Sequence, residues 1–250
     1  MSEHISITDD GPIRVVRMNR PDKKNALTAD MYDAMASALT GTKLSAAIQC
    51  VLITGTPGAF CAGNDLEDFR QAADSGEGLG EPALRFLHAL AACEKPLIAA
   101  VNGLAIGVGT TMLLHCDYVV ASREARFATP FVNLGLVPEA ASTLLAPRLM
   151  GPRRAFALLV MGEPLDAQGA LTAGLINAIA DSADVDQRAL EAAQKIARLP
   201  PEAVLASRRL MRGSPEDIIG RIDVEADYFR ERLQSPEAQA AFAAFFARKK

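Results

Sequence analysis

The chain has no tryptophan, few aromatic residues of any kind (5%), and no dense stripe of lysine and arginine. Single-stranded nucleic acid binds on stacking rings and duplexes on basic surface, so nucleic acid is a poor fit as the main partner. A net charge of −4 agrees, although local basic groups could still hold an anionic ligand. The three histidines, His4, His88 and His115, are scattered, which argues against a metal site or a Ser-His triad. The four cysteines, Cys50, Cys61, Cys93 and Cys116, lack C-x-x-C spacing, and three lie in apolar runs. They read as buried thiols of a reducing compartment. No apolar run approaches the ~20 residues that cross a bilayer. The start, Met1-Ser2-Glu3-His4-Ile5, has no apolar signal-peptide region. A cytoplasmic enzyme is expected.

What is present is a half-hydrophobic chain of 250 residues, enough for one large domain or a domain with an appendage. Alternation predicts strands over residues 5–8 and 13–18, joined by Asp10-Gly11-Pro12 into a hairpin. Thr28 is placed to cap a helix reaching about residue 39. Apolar runs at 50–54 and 97–101 read as buried strands, followed by short strands at 118–121 and 126–128. Residues 65–73 read as helical and 75–80 as a mobile loop. Pro82 opens a further helix, and another is expected to start at Glu139. Strand and helix alternate to about residue 180, and the chain is helical from Val185 on. The last helix, residues 235–248, carries Ala238, Phe242, Phe245 and Phe246. They would pack on a pocket, a neighbouring subunit or the chain's own core.

Two glycine-marked segments stand out: Ala59-Phe60-Cys61-Ala62-Gly63-Asn64-Asp65-Leu66 and Val101-Asn102-Gly103-Leu104-Ala105-Ile106-Gly107-Val108-Gly109. Each follows a buried strand and leads into helical spacing. Glycine there lets the backbone turn sharply and bring its N–H groups close to a ligand. Two such junctions on neighbouring strands could aim two N–H donors at one oxygen, as an oxyanion hole requires.

These segments join Asn19-Arg20-Pro21, Asn25-Ala26-Leu27, Lys95-Pro96-Leu97, Cys116-Asp117 and Leu134-Gly135-Leu136-Val137-Pro138. In that order and at those intervals, the chain resembles the crotonase (enoyl-CoA hydratase/isomerase) superfamily over nearly its full length. The resemblance implies an α/β fold: a crotonase-like ββα spiral core over residues 1–195 and a helical C-terminal part over 196–250 for trimerisation and pocket covering. It implies a homotrimer or hexamer, and an acyl-coenzyme A thioester as substrate. Neither a separate cofactor nor a metal is implied. The oxyanion N–H groups fall at Asn64 and Val108, where side-chain identity matters little. Lys24, Ala26, Ala62, Gly63, Asn64, Asp65 and Leu66 fall along the coenzyme A strip, with Lys23 and Lys24 near its nucleotide end or simply solvated.

The family's hydratases handle water with two glutamates. Their places here hold Thr111 and Phe131, which cannot exchange protons with water near neutral pH. One carboxylate stands nearby, Glu139. The run Leu134 to Glu139, with Asn64-Asp65-Leu66 and Thr129-Pro130-Phe131, is similar to that of the monofunctional Δ3,Δ2-enoyl-CoA isomerases, whose shuttle is the glutamate at this place. A single carboxylate suits that reaction. The C2 proton of a 3-enoyl thioester is acidic because the dienolate spreads charge onto the thioester oxygen. One base takes that proton and returns it at C4, with no water to activate. Each N–H of an oxyanion hole contributes about 3–4 kcal/mol in the transition state, and a positioned base roughly 10²–10⁴ in rate.

Other readings stay open. Glu139 could merely complement a helix dipole, and dipole and apolar surroundings would move its pKa in opposite directions. The activity could be another crotonase reaction (hydratase, decarboxylase or thioesterase), or the chain an idle acyl-CoA-binding scaffold. His115 sits where a helix end would welcome a cation, Asp65 where a helix needs a cap, and Cys61 has no base near it in sequence.

Overall fold

The computed structural model describes residues 2–65, 67–68 and 78–247, the side chains of Phe245 and Phe246 excepted. Most of the helix expected over 65–73, part of the loop over 75–80, and Leu66 lie outside the described residues.

Among the described residues, ten strands form two sheets: β1 (Ile5–Asp10), β2 (Ile13–Met18), β3 (Cys50–Thr54), β4 (Ala59–Cys61), β5 (Leu97–Val101), β6 (Leu104–Ile106), β7 (Tyr118–Ser122), β8 (Arg126–Ala128), β9 (Leu165–Asp166) and β10 (Ala178–Ala180). The six-stranded sheet has the order β1-β2-β3-β5-β7-β10, the four-stranded sheet β4-β6-β8-β9. From β3 to β8 successive strands go to alternate sheets. That alternation is the ββα spiral.

The described helices are α1 (Ala29–Thr40), α2 (Glu81–Ala92), α3 (Val108–Thr111), α4 (Ser142–Met150), α5 (Pro152–Leu159), α6 (Ala167–Ala173), α7 (Val185–Ala197), α8 (Pro201–Arg212), α9 (Pro215–Leu233) and α10 (Pro236–Ala247). The apolar runs of β3 and β5 are buried at every position because both sheet faces are covered. Cys50, Leu52, Ile98 and Ala100 pack with Val185, Ala189 and Ala193, one face of α7 at four-residue spacing. The alternate residues, Val51, Ile53, Leu97, Ala99 and Val101, face the main core with Met31, Met35, Phe86 and Leu90 of α1 and α2. Thr28 holds the N-cap position of α1, but its hydroxyl bonds Asp30 rather than a helix N–H.

Two expectations change at the fourth helix. It begins at Ser142, not at Glu139. Ala140 and Ala141 intervene with φ of 63° and 54°, in the left-handed region that alanine enters only at a cost of about 1–2 kcal/mol. Glu139 is therefore not a helix cap, and it is 2% exposed rather than lying at an open helix start.

Candidate active site

The two glycine turns follow neighbouring strands of the smaller sheet, β4 and β6. β4 pairs with β6 in parallel, Ala59 against Leu104 and Cys61 against Ala105, and the chain leaves each strand through a glycine of positive φ, Gly63 (93°) or Gly107 (55°). A Cβ built on Gly107 would stand 4.0 Å from the Cα of Gly63, so the two turns touch. The residue after each, Asn64 and Val108, lines one cavity of about 170 Å³. Among the described residues, neither of these two N–H groups donates to a backbone carbonyl. The structure thus brings the two residues that follow the glycines to one cavity.

Gly109 serves a second purpose. A Cβ there would meet the Cys61 carbonyl oxygen at 2.6 Å, so α3 can lie against β4 only without a side chain. The rest of the predicted strip is one ladder. Ala62 N–H donates to Lys24 O (3.0 Å), Leu27 N–H to Gly63 O (2.8 Å), and Asp65 N–H to Leu27 O (2.8 Å). Arg20 donates to Ala26 O (3.1 Å) and pairs with Asp65 at 2.6 Å. Burial pushes the Asp65 carboxyl up, and its bonds from Arg20 and the Glu67 N–H outweigh that and hold it below the usual range. Lys23 and Lys24 are exposed.

Three supporting residues carried no sequence signal of their role. Asn25, fully buried, accepts from Arg20 N–H and donates to the Ala59 and Phe60 carbonyls, which fixes the loop to β4. Tyr32 on α1 donates its hydroxyl to the Asn64 side chain. Burial, with the charges of Glu139 and Cys61, holds the Tyr32 phenol well above its ordinary pKa, so it stays a donor. Glu225 on α9 accepts from Thr143 N–H (3.0 Å) at the start of α4 and so ties the C-terminal helices to the Glu139 segment.

Glu139 itself does not line the cavity. It is joined to the cavity wall through Thr111, whose hydroxyl bonds its Oε1 and which stands three residues beyond Val108 on α3. Burial pushes the carboxyl up to about 8; the Thr111 hydroxyl pulls it down, and the Glu225 charge pushes it further up. Of the two opposing influences on this group, burial wins, since no helix starts at it. Phe131, at the second hydratase place, lines the cavity with Pro130, Leu134, Leu136, Phe229 and Phe242. Phe242 of the last helix thereby joins the pocket wall.

The remaining candidates are inert. Burial holds the Cys61 thiol up at about 12, so no thiolate forms near neutral pH. His115 is fully buried, donates Nε2–H to Ala140 O (2.8 Å), and is pushed down to about 4. It is a neutral donor and not the helix-end cation its position suggested. His88 meets Asp223 at 2.7 Å on the surface. No described helix is long and apolar enough to cross a membrane.

A spiral of ββα turns with paired main-chain donors over an apolar cavity defines the crotonase class. A family model described as enoyl-CoA hydratase/isomerase matches residues 8–250, and the chain belongs to that family. It is 33% identical over 253 residues to enoyl-CoA delta isomerase 2 of Rattus norvegicus, covering 99% of this chain and 64% of the rat protein. It is 34% identical to a probable enoyl-CoA hydratase, EchA14, of Mycobacterium tuberculosis, over 97% of this chain and 94% of that one. The solved structure of Pseudomonas aeruginosa OdaA superposes with a TM-score of 0.92 at 44% identity, over 98% of this chain and 99% of that one.

Proposed function

We propose that this enzyme shifts the double bond of a 3-enoyl-CoA to the 2-position, with Glu139 as the single proton shuttle. Asn64 and Val108 N–H groups hold the thioester oxygen while it carries the dienolate charge. The observation that carries this reading is one buried carboxylate linked through Thr111 to the wall that bears both donors. Thr111 and Phe131 stand where water would be activated, and the apolar wall of Phe131, Leu134, Leu136, Phe229 and Phe242 disfavours a nucleophilic water. A pKa near 8 suits a group that must both take and return a proton near neutrality. The cavity is too small for a nucleotide, so coenzyme A would lie along the ladder from Lys24 to Asp65. Assembly into a trimer or hexamer belongs to the same reading. Leu210 and Met211 on α8, 86% and 87% exposed, supply apolar surface for it.

Relatives carry both isomerase and hydratase names, so the test must separate the two. The purified protein is incubated with 3-enoyl-CoA and, separately, with 2-enoyl-CoA, and products are followed by mass and absorbance. Isomerisation keeps the mass; hydration adds one water. We expect conversion of 3-enoyl-CoA at least ~10²-fold faster than hydration of 2-enoyl-CoA, the order lost when a water-handling base is absent. Hydration at a comparable rate rejects the proposal.

A further inference from the structure

Among the described residues, Thr111 is the side chain that bonds both halves of the site. It is fully buried. Its Oγ1 lies against Oε1 of Glu139 and 3.4 Å from the carbonyl oxygen of Gly107. A hydroxyl has one proton to donate. While Glu139 is ionised, both neighbours are acceptors, and the charged carboxylate is the stronger. Once Glu139 is protonated, its own O–H can donate to Oγ1, and the threonine proton is released toward Gly107.

The Gly107 carbonyl and the Val108 N–H belong to one peptide unit. That carbonyl already accepts Thr110 N–H (2.9 Å) and Thr111 N–H (3.0 Å). A further bond on the carbonyl polarises the unit and strengthens the N–H as a donor, since hydrogen-bonded chains reinforce one another.

We propose that Thr111 is a positioning residue that couples the proton on Glu139 to the donor strength of the Val108 N–H, through the Gly107 carbonyl. The proposal rests on the isomerase reading of Glu139. As the substrate C2–H bond breaks, its electron pair enters the dienolate and the proton joins Glu139. The Thr111 hydroxyl then turns to Gly107, when the thioester oxygen holds the most charge. Return of the proton to C4 restores the carboxylate, and the hydroxyl turns back. The site neither gains nor loses a proton over the cycle.

Other titratable groups face Glu139. Tyr32 and Cys61 are held protonated by burial. Glu225 is also raised, chiefly by burial, and is the group that needs a control. His115 reaches the segment only through Ala140 O.

Gly107-Val108 is the one Gly-Val step in the sequence. Labelling glycine carbonyls with ¹³C and valine nitrogens with ¹⁵N therefore isolates this peptide in the whole, substrate-free protein. The Val108 signal is followed from about pH 6 to pH 10, a range that brackets a carboxyl raised as far as burial allows. The Glu139 carboxyl is followed in parallel by glutamate labelling. We expect the Val108 signal to move with the Glu139 midpoint in the parent and in Thr111→Ser, and to stay flat in Thr111→Val. We also expect Thr111→Val to lower kcat about tenfold at a pH where Glu139 is ionised in both proteins. KM should change less than about twofold, and serine should restore most of the rate, as one lost hydrogen bond in the transition state predicts. A Val108 signal that moves equally in Thr111→Val, stays static in the parent, or loses its titration in Glu225→Gln overturns the coupling. If the parent fails to convert 3-enoyl-CoA while Val108 still titrates through Thr111, the functional reading falls and the coupling stands.

Discussion

Two glycine turns, residues 62–64 and 106–108, line one part of the cavity, whereas Leu134 and Leu136 line another, with the Glu139 carboxylate buried three residues further along the chain. The first region is set by geometry. Gly63 and Gly107 turn two parallel strands outward, Gly109 lets the strands and α3 approach, and Asn25 and Tyr32 hold the turns from behind. The second region is set by environment. Glu139 gains its character from burial, from one hydroxyl and from a second acid, on a backbone that two left-handed alanines hold in place. A donor pair needs only the right φ angles and can be rigid. A shuttle base needs a tuned pKa, which many neighbours must supply together.

Replacing Glu139 tests the second region with the largest expected effect. Glu139→Gln keeps the size but cannot take the C2 proton, so turnover should fall by ~10²–10⁴ with little change in coenzyme A binding. The pH dependence of stability should change with it. A carboxyl raised from 4.5 to about 8 by folding stabilises fully below its unfolded value, and that contribution is lost as pH rises through about 8. The parent should therefore lose stability between these values, and the glutamine variant should lose less over the same interval. Parallel denaturation curves for the two proteins at several pH values read this directly. Turnover close to the parent's would mean that the two regions do not divide the work between donors and base.

The same contrast explains what the residues revealed in advance. Glycine is chosen for φ and for close approach, which are local, so the paired turns at Gly63 and Gly107 could be read from the chain. The buried runs of β3 and β5 and the alternating order of elements were equally local. The family pattern singles out Glu139 as a candidate, but it does not show the burial, because Pro138-Glu139 reads as an ordinary helix start. Ala140 and Ala141 give no sign that they will take left-handed angles. Glu225 comes from 86 positions downstream of Glu139 and shares no local pattern with it. The same holds for His115: a histidine before Cys116-Asp117 looks like a helix-end cation until the fold buries it.

Gly109→Val asks whether the first region is as purely geometric as it looks. The added Cβ would fall 2.6 Å from a backbone oxygen and 2.8 Å from the Cys61 Cβ, and neither is the far end of a flexible chain. The expected cost is about 1–3 kcal/mol of stability, as for overpacking elsewhere, with loss of activity because α3 carries Val108. Thermal unfolding beside an activity assay measures both. A variant that is inactive yet as stable as the parent would mean that the turn yields and that only the donor geometry is tight.

Ala140→Gly sharpens the comparison at the smallest scale. Glycine relieves a left-handed φ of 63°, worth about 1–2 kcal/mol. It also adds about 0.5–1 kcal/mol of backbone entropy to the unfolded chain. Removing a fully buried methyl group costs about 0.8 kcal/mol more. The three contributions nearly cancel, so unfolding in urea should shift by less than about 1 kcal/mol in either direction. Activity need not follow that balance. The Ala140 carbonyl accepts from His115, and Ser142 N–H donates to the Glu139 carbonyl at 3.1 Å, so the peptides on either side of the alanine are already held. If those bonds position Glu139, the glycine variant keeps the parent's turnover within about threefold, since no hydrogen bond worth ~1 kcal/mol is removed. A larger loss at unchanged stability would assign the positioning to the alanine methyl, and side-chain packing would then replace hydrogen bonding as what holds the base.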